Sequence, residues 1–423
     1  MSSVKRKKKL NSLADNDDLL TEILIRLPLK SLLICKSVSK RWHSLISSPH
    51  FCRCLYPDAY LVSGLLLHRS SILRNPEHDF VPLSDKSTSP PFKTLTFVNH
   101  PSGLKILQSC HGLLFCSSFR DQGPMHDYFI YNPTTKQFLT LPRPGGQIST
   151  IVCGITLAFD PDKSPHYKVV CVRKLKSSQG YLGIYSRLEN AYPFEHHYLG
   201  NYLWYQIEIY SSETRSWRLS VKSFIAQHSV NFRRGVFWNG AVHWVNCFGP
   251  SLYFKVDDDE KLRKMPMPAT PIPDGWEDGR RLRYFDESRE HLHLVEIYGP
   301  CTAKFDVYEM ETDYSGWFVK YRVDLNIITI AFPEIITAYL DPTDLHYYKF
   351  AILGIIREAN DEESYMVLHL PGKAICYNLN NKTFNKICDF SPGHEDIHDI
   401  CYPGYLKFSW FDSFHYIETL ASI

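Results

Sequence analysis

The chain has 423 residues, 44% of them hydrophobic and 14% aromatic, enough for a sizeable core and suited to one small module joined to one large β architecture or to two or three domains. Lys and Arg number 47 against 45 Asp and Glu. No run reaches the ~18 apolar residues of a membrane span, and a near-neutral body without a long basic stripe argues against nucleic acid as the main partner. Its 12 cysteines stand singly, with only Cys52 and Cys54 close together and no C-x-x-C, the usage of a reducing compartment rather than of a disulfide framework or a zinc site.

The start MSSVKRKKKL is basic and lacks the apolar stretch of a secretory signal. Residues 1–56 hold 11 Lys and Arg against 4 Asp and Glu, so the positive excess is N-terminal. Residues 1–12 read as a disordered basic tail. Lys5 to Lys9 are either solvated or a nuclear import signal or weak nucleic-acid contact, and the expected location is the nucleus and/or the cytoplasm.

From Leu13 to Phe51 the pattern is helical. Leu19, Leu20, Ile23, Leu24 and Leu27 have the spacing of an amphipathic helix, with Asp15 to Asp18 supplying capping oxygens and negative charge at its N-terminus. Pro28 should end this helix at Leu27. A second helix carries Leu32, Leu33 and Val38 inward. Ser39 caps a third that holds Trp42, Leu45 and Ile46 and is closed by Pro49. About forty residues cannot bury that much apolar surface alone, so the surplus face is expected to bind another protein.

This stretch resembles the F-box. The residues that carry the likeness are Glu22-Ile23-Leu24, Leu27-Pro28, Lys30-Ser31-Leu32-Leu33 and Val38-Ser39-Lys40-Arg41-Trp42-His43-Ser44-Leu45-Ile46. Many F-boxes open with Leu-Pro where this chain has Asp15-Asn16. The F-box is assigned to residues 13–56.

After Tyr56 the chain turns into short alternating or apolar runs rich in Tyr, Phe and Trp, which favours strands. A hairpin signature recurs in which an aromatic closes one strand, a polar turn follows and a second large side chain opens the next. Its copies are Tyr131 to Phe138, Tyr210 to Trp217, Phe254 to Leu262, Tyr308 to Trp317 and Tyr377 to Phe384. Apolar strands precede each copy: Gly112 to Ser117, Gly154 to Phe159 with Tyr167 to Val172, Gly235 to Asn246, Tyr284 to Tyr298 and Ala351 to Leu370. The unit is a four-stranded antiparallel sheet, the blade of a propeller. Tyr60 to His68 and Tyr405 to Leu420 are expected to pair and complete about six blades. A pair of β-sandwiches is the competing architecture, but it does not require a recurrent hairpin.

The region 57–423 resembles the F-box associated domain of plant F-box proteins, a relative of kelch repeats. The likeness rests on Ser109-Cys110-His111-Gly112-Leu113-Leu114, Tyr131-Asn132-Pro133-Thr134-Thr135 with Leu141-Pro142, and Phe159-Asp160-Pro161 before Tyr167-Lys168-Val169-Val170. Phe237-Trp238-Asn239-Gly240-Ala241-Val242-His243-Trp244 and Tyr416-Ile417-Glu418-Thr419-Leu420 extend it. The fold class is thus a small all-α three-helix F-box followed by an all-β domain, best read as a β-propeller of about six blades.

Phosphate-binding loops, dinucleotide fingerprints, the H-E-x-x-H helix and the G-x-S-x-G elbow are all missing from the sequence. His394-Glu395-Asp396-Ile397-His398-Asp399 is the best metal-like run, but Pro392-Gly393 and Pro403-Gly404 bracket it as a loop. His291 and His293 alternate on a strand, and His196-His197 lies in an insertion. No cofactor and no catalytic residue is expected.

Two long irregular stretches, Lys174 to Trp204 and Met265 to Arg281, stand out as recognition loops, with Tyr181, Tyr185, Tyr192 and Trp276 as candidate anchors for a target. The resemblance implies the substrate-recognition subunit of an SCF-type E3 ubiquitin ligase. It would dock on a Skp adaptor, and through it on cullin and RING subunits, while the β domain holds a target protein for ubiquitination. By position in the matched motif, adaptor contact would fall on Leu19, Ile23, Leu24, Leu27, Pro28, Leu32, Leu33, Val38 and Trp42. The alternatives are an adaptor-binding scaffold or inhibitor outside proteolysis, and a glycan-binding or catalytic propeller.

Overall fold

The recurring aromatic hairpin has one backbone cause. Lys136, Arg215, Glu260, Tyr314 and Lys382 all adopt left-handed conformations, with φ from 48° to 64°, just before the second large side chain of each hairpin. A turn that ends in a left-handed residue joins two right-twisted strands without splaying them. Asn132 Oδ1 accepts from Thr134 N at 2.9 Å and Thr135 N at 3.2 Å. Asn378 Oδ1 does the same for Asn380 N at 2.9 Å and Asn381 N at 2.8 Å. The polar residue after the aromatic therefore shapes the turn through its own side chain. Tyr131 then lies opposite Phe138, Tyr210 opposite Trp217 and Tyr377 opposite Phe384.

The computed structural model describes residues 16–27, 29–55, 61–69, 76–84, 90–119, 126–145, 150–175, 202–246, 250–257, 260–268, 280–298, 302–344, 346–390 and 406–423. Four short helices come first: α1 (Asp17–Leu24), α2 (Leu29–Lys36), α3 (Lys40–Ile46) and α4 (Pro49–Leu55). Pro49 opens a fourth helix rather than closing the third, because proline at the first helical position loses only an N–H that has no partner there anyway. The first helix stops at Leu24, three residues before the expected end, and Val38 lies past the end of α2 rather than inside it.

Strands follow in six sheets. Five are four-stranded meanders: β3 (Leu104–Cys110) to β6 (Gln137–Leu141), β7 (Thr150–Ala158) to β10 (Ser216–Gln227), β11 (Val236–Trp238) to β14 (Leu262–Met265), β15 (Arg280–Ser288) to β18 (Trp317–Asp324), and β19 (Ala351–Ile356) to β22 (Phe384–Asp389). The sixth sheet has three strands in the order β2 (Glu77–Pro82), β1 (Gly64–Arg69), β23 (Ser413–Tyr416). Here Gly64 pairs with Tyr416 and Leu67 with Ser413, so segments some 350 residues apart in the chain close one blade, as the sequence led us to expect. Among the described residues this blade has three strands, one fewer than the four-stranded unit. Along the open edge of β2, His78 N donates to Lys93 O at 2.8 Å.

The first strand of each meander lies innermost, and β23 fills that place in the closing blade: β23 touches β3, β3 touches β7, β7 touches β11, β11 touches β15 and β15 touches β19. Register shifts mark β3, β7, β15 and β19 near the same level. Such bulges increase local twist where strands crowd a central channel. At Gly154 a Cβ would fall 1.9 Å from the Phe232 carbonyl oxygen, so only glycine lets blade-to-blade backbones approach this closely. Gln108 ties neighbouring inner strands, accepting from Leu157 N at 2.7 Å and donating to Leu157 O at 3.2 Å.

Each core cluster of the propeller lies between adjacent sheets. One spans the second, third and fourth blades around Phe115, Tyr167, Ile207 and Trp244, and another joins the fifth and sixth around Tyr284, Ile328 and Leu368. Because the inner strands run in one direction, the five aromatic hairpins emerge on one rim, the hairpin rim. The connections between blades emerge on the opposite, far rim.

Candidate adaptor and target surfaces

Asn16, where many F-boxes have proline, is the N-cap of α1: its Oδ1 accepts from Asp18 N at 3.0 Å and Leu19 N at 3.3 Å, with Asp17 and Asp18 in the positive first turn. Asp17 also pairs with Arg41 at 2.7 Å, tying α1 to α3. Ser39 caps α3 as expected, its Oγ accepting from Trp42 N at 3.1 Å.

The nine residues expected to touch an adaptor divide into groups. Leu24 and Leu32 are buried, with Leu20, Ile46 and Phe51, in the core of the helical module. Leu27, Leu33 and Trp42 pack against that core half-buried. Leu19 and Ile23 point outward, 44% and 57% exposed, and Val38 is 61% exposed. The inward reading of Val38 is thereby corrected, and Leu24 and Leu32 act on any partner only through the shape of the core. Ile34, which the sequence reading passed over, is 68% exposed and joins the outward set. Its signal was present as an apolar residue two positions from the buried Leu32, on the other side of α2. Pro28 lies outside the described residues.

Tyr181, Tyr185, Tyr192 and Trp276 also lie outside the described residues, as do His196-His197 and the run His394 to Asp399. The strand ends that flank the first two stretches are described. β8 (Lys168–Leu175) ends and β9 (Tyr202–Ser211) begins on the far rim, and so do the end of β14 and the start of β15. The helical module meets the propeller on the opposite, hairpin rim, where Leu420 enters its core and Asn132 of the β5 (Tyr128–Asn132) to β6 hairpin holds the residues on either side of Leu420.

The two rims of the channel present different groups. Near the far rim, burial lowers the Lys105 ammonium, and the approach of Arg233 and Arg234 lowers it further. At the hairpin rim His111, Asp160, Glu287 and Glu290 line a cavity of about 270 Å³. Burial, with Asp286 and Glu290 nearby, pushes the Glu287 carboxyl up to about 8.

His291 and His293 reach one acceptor: His291 Nδ1 is 2.7 Å from Glu309 Oε1 and the buried His293 Nε2 is 3.6 Å from Glu309 Oε2. Burial opposes ionisation of Glu309, but the two imidazoles outweigh it and hold the carboxyl well below the usual range. Arg357 of the next blade lies 3.9 Å away and bonds Tyr321 and Asp361. This network joins two blades. Among the described residues no group of three His, Cys, Asp or Glu is placed to hold a metal ion.

A helical docking module set on one rim of a closed propeller is the build of a two-part binding protein. The model of the F-box domain matches residues 16–54, and that of the F-box associated beta propeller domain matches residues 68–258. F-box protein At5g07610 of Arabidopsis thaliana is 36% identical over 425 residues, 97% of this chain and 93% of that protein. F-box protein At5g49610 of the same plant is 26% identical over 323 residues, 75% of this chain and 81% of that one. The chain belongs to the plant F-box proteins with an F-box associated β-propeller. Among solved structures, an oligogalacturonate lyase in complex with manganese is similar at a TM-score of 0.40 and 9% identity, covering 80% of this chain and 83% of that one, too distant to carry an argument.

Proposed function

We propose that this chain is the substrate-recognition subunit of an SCF-type E3 ubiquitin ligase, acting without catalytic residues of its own. The observation that carries the reading is the matched F-box, on which Leu19, Ile23, Ile34 and Val38 stand exposed and offer apolar side chains to a partner. A Skp-type adaptor docks there and links the chain to cullin and RING subunits. The β domain, which continues to residue 423, holds a target on its far rim, with the stretches around Tyr181, Tyr185, Tyr192 and Trp276 as the recognising loops. Holding substrate lysines near a charged E2 raises their effective concentration, and this requires only geometry from the receptor. Eight described cysteines are free thiols, in keeping with the nucleus or cytoplasm.

Co-expression of the full chain with a Skp adaptor tests this. Ile23→Asp combined with Ile34→Asp is expected to weaken recovery at least tenfold, roughly what losing a buried interface anchor costs, with the propeller still folded. A folded wild-type chain that recovers no adaptor would end the ligase reading.

A further inference from the structure

Residues 417–423 leave β23 on the hairpin rim and run between the helices and the propeller. On the propeller side, Asn132 Nδ2 donates to Thr419 O at 3.1 Å and to Ala421 O at 2.9 Å, and Thr419 N donates to Thr134 Oγ1 at 3.2 Å. Ala421 and Ile423 pack on the core of the second to fourth blades. At Gly112, with φ of +82°, a Cβ would fall 2.6 Å from Ile417 O, so the turn between β3 and β4 (Leu113–Ser118) is shaped to let this segment pass. On the other side Leu420 is 1% exposed among Leu20, Leu24, Leu32, Ile46 and Phe51, and Lys36 Nζ donates to Leu420 O at 3.0 Å. The side chain between two propeller-bound carbonyls thus points into the helical core, as the two-residue alternation of an extended segment allows.

We propose that residues 417–423 are a positioning element of the receptor. Leu420 completes the F-box core, and Asn132 with Thr134 clamps its two neighbours, so the adaptor surface is held at one angle to the far rim. The proposal rests on the receptor reading above. A module this small closes its core poorly by itself. Residues 417–423 supply the missing side chain and are bonded to both parts. In a proximity mechanism a fixed separation between adaptor and target decides which lysines reach the E2, so Leu420 and Asn132 act on ubiquitin transfer without touching any reactant.

The test places a donor and an acceptor fluorophore, introduced as unnatural amino acids, at exposed positions His43 and Ala338 of the full chain and reads single-molecule distances with and without a Skp adaptor. Three variants are compared with wild type. Leu420→Met should keep one narrow distance population and wild-type adaptor affinity. Leu420→Asp should broaden the distances and weaken the adaptor at least tenfold. Asn132→Asp keeps the oxygen that caps Thr134 and Thr135 and replaces the donor to the tail with an oxygen that faces the Thr419 and Ala421 carbonyls. It should broaden the distances while adaptor affinity stays within about twofold. A narrow, wild-type population in Asn132→Asp overturns the positioning role, and unchanged distances and affinity in Leu420→Asp overturn the proposal entirely. The distances are also measured on the free chain, so failure of wild type to bind adaptor ends the receptor reading while the tail is still decided.

Discussion

The F-box and the propeller bury their apolar surface in opposite ways. The propeller closes on itself, each core cluster being shared by neighbouring sheets until β23 meets β1. The F-box has one core, and part of it comes from residue 420. A ring of sheets distributes its contacts and has few edges to satisfy, whereas a bundle of helices of 7 and 8 residues depends on whatever packs against it. The dependent module also exposes Leu19, Ile23, Ile34 and Val38 within about twenty residues, while its core takes in Leu420 from the far end of the chain.

The comparison breaks hardest at Gly154. Valine there must displace the Phe232 backbone, and Gly154→Val is expected to cost about 4 kcal/mol or more, the range of severe core disruption. The β signal in circular dichroism should melt early while the helices lose their support with it. Phe51→Ala should cost about 3–5 kcal/mol within the helical module. Urea should then remove the helical signal before the strand signal. A single coincident transition would show that the two regions are one cooperative unit, sharpening the case for the tail as the coupling.

Acid acts on the propeller. Burial, the largest cause in each case, pulls His78 and His243 down to about 3 and His369 to about 4. Each imidazole is neutral in the fold and takes a proton more readily when unfolded. Their stability contribution is complete above about 6.5, shrinks as pH falls and is gone below the folded values. Urea midpoints followed from about pH 7.5 to pH 4 should fall through that window, offset in part by Glu287, whose raised carboxyl adds stability as pH drops below about 8, and His243→Gln should flatten the fall. A profile unchanged by that substitution would count against His243. The smallest effect is expected at the exposed Arg41–Asp17 pair, where Arg41→Ala should cost about 0.2–1 kcal/mol because solvent screens the charges. A differential melt of the F-box signal would resolve it.

Much of this was legible before the structure. Local rules wrote the Ser39 cap, the hairpin repeat and the pairing of the two distant strands that close the ring, since caps, turns and alternation act over a few residues or repeat many times. The rim that carries the F-box was hidden, because no local pattern encodes which hairpin a distant segment will meet. The two outward faces were also hidden. Leu19 with Ile23 and Leu20 with Leu24 have the same four-residue spacing, and spacing says only that residues share a face, not whether that face is covered.

The sequence by itself determined the module order, the strand-and-turn grammar of the blades and the F-box assignment, all products of local stereochemistry and periodic burial. Tertiary structure alone decided that Leu420, Lys36 and Asn132 meet, across 384 residues in the case of Lys36 and Leu420. Closing a propeller brings its last strand back to its first, and only that closure delivers residue 420 to the helices at the other end of the chain.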